Sequence, residues 1–275
     1  MKRSAWIGLS ALMMASTGCL PGDTRPEPGR EFVTAQPSTA SVEGFTTDDG
    51  WTIQFERILT SLGGISLAGE SCTSYADTTY DRLFDFTVGG EQKVGEVYGL
   101  GTCDLAFQWS GPSGDTKLQN GVTPSELEFI WSYMPLVVLM HVRGTAERGA
   151  EKKRFTWVFS DHQVLGDCRT EPMAEPFTTM TLSGGDDFRH RIEFRAEHLF
   201  RAIDSDLGHF QFAEFAAADT DEDDNITLDE VLRHVVGTSM VKQSLYFILL
   251  DHNLPNLITF DGGSCTDVTK WTYPD

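Results

Sequence analysis

The chain has 275 residues and carries 41 acidic against 21 basic residues, which gives a formal net charge of -20. An acidic excess of this size, with no basic stripe to offset it, argues against binding nucleic acid or anionic lipid by charge. The roughly 230 residues that follow the N-terminal region are enough for one large domain or two small ones with genuine cores. We expect the carboxylates to bind cations instead.

The N-terminal 18 residues predict an export signal. Lys2 and Arg3 supply a positive start, and residues 5–17 form an uncharged, mostly apolar stretch that is too short to span a bilayer. The stretch ends in STGC at residues 16–19, which resembles a bacterial lipoprotein signal. That resemblance implies a lipid on Cys19, a membrane anchor and a place in the cell envelope, at the outer membrane or facing the periplasm. The alternative is an ordinary secreted protein with an incidental cysteine.

A flexible linker is predicted to follow the lipidated cysteine, over residues 19–44. Pro21, Pro26, Pro28 and Pro37 stand there among Gly, Ser, Thr and charged residues, with hardly any apolar residue to bury. At about 3.1 Å per residue, an extended proline-rich chain of this length holds the folded part up to about 75 Å from a membrane.

The other cysteines are disulfide candidates. With Cys19 assigned to lipid, an even number remains, which favours two disulfides in an exported chain. The pattern does not choose among the three possible pairings, and a free thiol or metal ligand is the less favoured alternative. The candidates are Cys72, Cys103, Cys168 and Cys265.

Residues 45–195 predict an antiparallel β-sandwich domain. Apolar residues alternate with polar ones in WTIQF, LAFQW and FTWVF, which is typical of strands with one buried face. Residues 136–143 and 153–160 predict a long hairpin, and residues 125–132 predict a helix. Short, evenly spaced strands with glycine turns between them favour a sandwich.

Residues 196–262 predict a helical region, so the expected fold class is α+β. Phe212 and Phe215 are three apart, residues 231–236 have helical apolar spacing, and another helix is expected over residues 239–250. Residues 263–275 predict an extended C-terminal segment.

The stretch DTDEDDNITLDE, residues 219–230, packs seven carboxylates into twelve residues between these predicted helices. Residues 210–236 thereby resemble the EF-hand calcium-binding family, whose twelve-residue loop supplies oxygen ligands from positions 1, 3, 5, 7, 9 and 12. The family pattern places a glycine at position 6, where this chain has Asp224 in a turn that requires a positive φ. The resemblance implies Ca²⁺ as cofactor, held by Asp219, Asp221, Asp223, Asn225, Thr227 and Glu230.

An acidic surface loop is the competing interpretation. Thr227 and Glu230 also form a capping box, which needs no metal. A degenerate second loop is a further possibility at residues 251–262, packed against the first through Ile226 and Ile258, and a plain turn and strand explain that stretch equally well. Residues 204–214 hint at another loop but favour a solvated turn.

The expected function is that of a non-enzymatic, calcium-binding envelope lipoprotein in which calcium is structural. Nucleophile elbows, zinc helices and phosphate loops are missing from the sequence, and its histidines lack metal-ligand spacing. Two alternatives stay open. One is a calcium-dependent surface module that binds a saccharide or a partner protein, and the other is an envelope hydrolase that uses His162 or paired carboxylates.

Overall fold

Alternation of apolar and polar residues produces strands through most of the chain. The computed structural model describes residues 26–202, 209–237 and 242–271, and 50% of these residues are strand and 18% helix. The predicted export signal and Cys19 lie outside the described residues. Among the helices of the described residues, none is long and apolar enough to cross a membrane.

The strands differ widely in length, from two residues to 19 residues. In chain order they are β1 (Gly29–Pro37), β2 (Phe45–Thr46), β3 (Thr52–Ala68), β4 (Thr73–Ala76), β5 (Asp81–Asp85), β6 (Gln92–Ser110), β7 (Lys117–Leu118), β8 (Val138–Arg148), β9 (Glu151–Ser160), β10 (Gln163–Arg169), β11 (Thr179–Leu182), β12 (Asp187–Phe194), β13 (Asn225–Thr227), β14 (Val235–Gly237), β15 (Lys242–Ser244), β16 (Ile258–Phe260) and β17 (Gly263–Asp267).

The helices are short and lie in the connections between strands. They are α1 (Thr39–Glu43), α2 (Pro124–Trp131), α3 (Ala213–Ala217), α4 (Leu228–Arg233) and α5 (Leu245–Ile248). Single turns of 3₁₀ helix at Ala196–Phe200, Leu254–Asn256 and Val268–Trp271, and one π-helical turn at Leu249–Asn253, complete the helical content of the described residues.

Six strands close into a barrel. Strand β6 bonds to β1 and to β10, β10 leads through β17 and β16 to β12, and β12 pairs in parallel with β1 to complete the ring. The predicted sandwich followed by a helical segment is therefore wrong. Alternation marks which face of a strand is buried, but not which strands pair, so it looks the same in a sandwich and in a barrel.

Strand β1 lies inside the predicted flexible linker, and this prediction fails for residues 29–43. Val33 and Ala35 of β1 are fully buried between β6 and β12, and helix α1 follows. The segment looks solvated in sequence because Glu31 interrupts its few apolar residues. Glu31 is nonetheless buried, because the ring of His190 on β12 bonds its carboxylate (2.7 Å).

The sheet continues beyond the barrel through β3, β8, β9 and β13. Strands β8 and β9 form the predicted hairpin, antiparallel from Val138 opposite Ser160 to Arg148 opposite Glu151. Helix α2 occupies the position predicted for a helix within one residue at each end. A single large apolar core joins the barrel to this extension, with Trp51, Trp109 and Trp157 fully buried.

Two disulfides settle the pairing that the sequence leaves open. Cys72 bonds to Cys103 and joins the β3–β4 connection to β6, while Cys168 bonds to Cys265 and joins β10 to β17 inside the barrel. The second disulfide therefore ties the C-terminal hairpin to the middle of the chain.

The C-terminal third contains more strand than its apolar spacing predicts. Residues 242–244 form β15, which pairs with β14, so the helix predicted over residues 239–250 is reduced to α5 and the π-helical turn. Ile258 of β16 lies opposite Phe194 of β12 in the barrel. It therefore does not pair with the acidic loop, as a degenerate second loop would require.

Candidate metal-binding loop

The acidic stretch forms a loop between α3 and α4, and each helix begins with a side-chain cap. The carboxylate of Asp49, in the turn between β2 and β3, accepts hydrogen bonds from the backbone N–H groups of Phe212 (3.0 Å) and Ala213 (2.7 Å). At α4, Thr227 Oγ1 accepts from Glu230 N–H (3.3 Å), and Glu230 Oε2 accepts from Thr227 N–H (2.8 Å). The predicted capping box is therefore present.

The loop curls around the side chain of Asp219. Its two carboxylate oxygens accept hydrogen bonds from the backbone N–H groups of Asp223 (3.2 Å) and Asp224 (3.1 Å). Glu222 and Asp224 have φ values of 60° and 63°, in the left-handed region that favours glycine. The positive φ expected at Asp224 is thus adopted by a residue that tolerates it better than most.

Three carboxylates converge on one point of this loop. Asp219, Asp221 and Asp223 each offer an oxygen within 4.8 Å of the others. Partial desolvation, then the charges of Asp223, Glu230 and Asp219, raise the pKa of Asp221 above its ordinary value. Desolvation is the largest cause of this shift, and the neighbouring negative charges add to it. Such a cluster of carboxylates can hold a metal ion.

Lys153 of β9 supplies a positive charge at the same place. Its Nζ lies 2.6 Å from Asp219 Oδ2 and 2.7 Å from Asp224 Oδ1. The Asp219 side chain is fully buried (0% exposed). Burial works to raise the pKa of Asp219, but the hydrogen bond and charge of Lys153 outweigh it, so the pKa falls below its ordinary value. The same bonds, first to Asp219 and then to Asp224, raise the pKa of Lys153.

The loop is also fixed to the edge of the sheet. Residues 225–227 of β13 pair in parallel with residues 154–156 of β9. Trp157 Nε1 donates to the Ile226 carbonyl (3.0 Å), and the Ile226 side chain is fully buried in the main core. Strand β9 therefore takes the place that a degenerate second loop would occupy.

The six predicted ligand residues occupy different positions around the loop. Asp219, Asp221 and Asp223 come together, whereas Asn225 and Thr227 lie in β13. Glu230 faces back into the loop, where its Oε1 accepts from Thr220 N–H (3.2 Å). Sequence reasoning misses Lys153, because it stands 66 residues before Asp219 and only the folded sheet brings the two together.

A cavity of about 530 Å³ lies beside the loop. Its walls combine small and charged residues. They are Arg148, Ala150, Glu151, Lys152 and Lys153 from the β8–β9 hairpin, Ala213, Ala216 and Ala217 from α3, and Asp224 from the loop.

The residue singled out for a hydrolase has a different setting. His162 is exposed, and its backbone N–H donates to Asp161 Oδ1 (2.8 Å). That bond belongs to a short polar turn between β9 and β10, so the pair is explained by the turn alone.

The fold and the loop together define a β-barrel protein with an additional sheet, and the edge of that sheet carries an acidic cluster that can hold a metal ion. Comparisons of the chain with protein-family models, with curated proteins and with solved structures found no match.

Proposed function

We propose that the protein binds calcium in the cell envelope, anchored to a membrane by a lipid on Cys19, and that calcium has a structural, non-enzymatic role. The convergence of the Asp219, Asp221 and Asp223 carboxylates within 4.8 Å carries this proposal. Calcium takes six to eight oxygen ligands, mostly carboxylates and carbonyls, which is the chemistry that this loop offers.

The donor set fits the EF-hand pattern that the sequence resembles. Asp219, Asp221 and Asp223 would supply carboxylate oxygens, and Asn225, Thr227 and Glu230 would complete the site from β13 and the first turn of α4. The left-handed backbone at Asp224 supports the fit, because the sixth position of such a loop has to turn sharply.

A structural role follows from the way the loop is attached. Ile226 is buried in the core, and β13 is hydrogen-bonded to β9 on both sides of that residue. Opening the loop would break this pairing and expose Ile226. Calcium bound to the folded loop would therefore stabilise the whole sheet by mass action, by about 2.7 kcal/mol at a hundredfold excess over the dissociation constant.

The cavity beside the loop favours a second candidate function, a calcium-dependent ligand-binding module. Lys153 contacts the loop and also lines the cavity, so an ion bound by Asp219 would alter the charge at the cavity wall. A saccharide or partner segment that bound only with calcium present, and that protected the β8–β9 turn from proteolysis, would favour this candidate.

Calorimetric titration of the chain from residue 20 with calcium tests the proposal. The wild type should release or absorb heat and melt at a higher temperature, whereas Glu230→Gln should bind at least about tenfold more weakly. Glu222→Gln is the matched control, because it removes the same charge from the same loop without touching a predicted ligand. The absence of heat and of any melting shift up to about 10 mM calcium would exclude the proposal.

The envelope location has its own test. Cys19→Ala should move the exported protein from the membrane fraction to the soluble fraction. Unchanged partitioning would contradict the lipid anchor and leave the calcium result unaffected.

A further inference from the structure

An exposed apolar patch lies at the far end of the β8–β9 hairpin from the acidic loop. It consists of Phe129 (40% exposed), Met134 (72%), Leu136 (58%) and Val137 (47%), and these four residues are called the apolar patch below. Isolated exposed apolar residues are ordinary, but these four lie within nine consecutive positions of one segment.

The apolar patch lies in a segment that carries no charge. No Asp, Glu, Lys, Arg or His occurs from Phe129 to Met140, in a chain where 23% of residues are charged. The neighbouring Trp131 is half-buried, and its indole N–H already donates to the Pro112 carbonyl (3.3 Å). Moving this surface into an apolar medium would therefore leave neither a charge nor the indole donor unsatisfied.

The base of the patch is anchored to the fold. Ile130 and Val138 are buried in a separate small core with Leu59 and Leu83, and Tyr133 packs against it. The patch is therefore held outward by packed neighbours, and its side chains are not part of that small core.

The start of β1 and the apolar patch lie along the same strand, β6. Strand β1 begins at Gly29, which lies opposite Gly99 of β6, and β6 continues from there to Ser110. Gly111, the next residue, lies against Val137 of the patch. At about 3.3 Å per residue, Gly99 to Gly111 spans at most about 40 Å and Cys19 to Gly29 about 33 Å.

We propose that the apolar patch docks on the surface of the bilayer that holds the Cys19 lipid, which makes it a second membrane contact. The proposal rests on the lipid anchor proposed above. Because β1 begins at Gly29, the tether from Cys19 is much shorter than the predicted linker, and its maximum of about 33 Å is no longer than the stretch of β6 that leads from Gly99 to the patch. The net charge of -20 repels anionic headgroups, so the surface that fits is zwitterionic. Half-buried Trp131 and Tyr133 are residue types that favour the headgroup region.

Vesicle sedimentation tests the patch without the lipid. The chain from residue 20 retains every residue that the structure describes, and it should bind phosphatidylcholine vesicles. The double variant Met134→Ser, Leu136→Ser should partition at least about tenfold more weakly, because much of the exposed apolar surface is removed. Met173→Ser is the control, since Met173 is 95% exposed but lies outside the patch. Thermal melting should show that all the variants are folded.

Three results would overturn the proposal. The first is that the wild type does not bind vesicles. The second is that the double variant and Met173→Ser lose vesicle binding to the same extent. The third is that light scattering shows a dimer for the wild type and a monomer for the double variant. The dimer would show that a second copy covers the patch. Mass spectrometry of protein purified from the cell envelope tests separately whether Cys19 carries a lipid. Failure of the lipid anchor and failure of the patch are therefore distinguishable.

Discussion

At the scale of single residues, Lys153 decides how the acidic loop behaves without a metal. Carboxylates that converge without a cation repel one another and loosen the loop that carries them. Here the Lys153 ammonium bonds to Asp219 and Asp224, so the loop is assembled by a charge that belongs to the protein. A calcium ion that binds Asp219 has to compete with that ammonium.

Replacing Lys153 should therefore strengthen calcium binding. Lys153→Met removes the competing cation, and calorimetry should give a dissociation constant lower by roughly three- to tenfold. Lys152→Met is the control. Its ammonium pairs with Glu147, so that variant changes the net charge equally without touching the loop. Equal effects of the two variants, or weaker binding by Lys153→Met, would show that the ammonium does not compete.

The sequence predicts only those ligands of the candidate site that come from one short segment of the chain. The spacing of Asp219, Asp221 and Asp223 predicts that their carboxylates converge, because a tight loop turns alternate side chains inward. Lys153 belongs to a distant strand, and nothing in the spacing of its neighbours signals the contact. A pattern in sequence shows the ligands of a loop but not the groups that the fold brings to it.

At the scale of elements, a charged histidine joins β1, β12 and the turn between β16 and β17. His190 Nε2 lies 2.7 Å from Glu31 Oε2, and its Nδ1 lies 2.7 Å from Asp261 Oδ2. Burial would lower the pKa of His190, but the carboxylates of Asp261 and Glu31 outweigh it and raise the pKa to about 9. The two carboxylates lie at opposite ring nitrogens, which suits a structural clasp better than a shared metal ion.

This clasp predicts a loss of stability at alkaline pH. A histidine titrates near 6.5 in the unfolded chain, so its contribution is complete below about pH 6.5 and is lost as pH rises through about 9. The free energy of unfolding in urea should fall by about 2 to 3 kcal/mol across that window. His190→Gln should flatten the dependence, whereas exposed His162→Gln should preserve it. A wild-type profile without this decline would contradict the clasp.

Elements with strong local patterns are predicted well, and those held by distant partners are not. The β8–β9 hairpin and α2 follow from alternation, a polar turn and a proline-led helix start. The same patterns do not predict strand β1, because its buried Glu31 is stabilised by a hydrogen bond to His190 from the other half of the chain. Strand β16 is too short to show any period and is recognised only through its pairing with β12.

At the scale of the whole molecule, the two disulfides constrain the unfolded chain to different degrees. Cys72 and Cys103 are 31 residues apart, while Cys168 and Cys265 are 97 apart. Loop-closure entropy gives stabilisations of about 4 and about 5 kcal/mol respectively. Replacing Cys168 and Cys265 by serine should therefore lower the free energy of unfolding by about 1 kcal/mol more than replacing Cys72 and Cys103. Urea denaturation of the two double variants compares them, and the reverse order would count against the entropic account.

Closure of the barrel has a consequence for how the chain acquires its structure. The ring contains β1, at the start of the described residues, and β17, which ends at Asp267. Contacts between such remote segments are slow to form, because a long loop has to close before they stabilise anything. An emerging chain therefore cannot complete its ring until β17 is free, and a chain that stops before Gly263 leaves β10 and β16 each with one neighbouring strand in place of two. The barrel therefore closes only after β17 is available, and not while the earlier strands are being made.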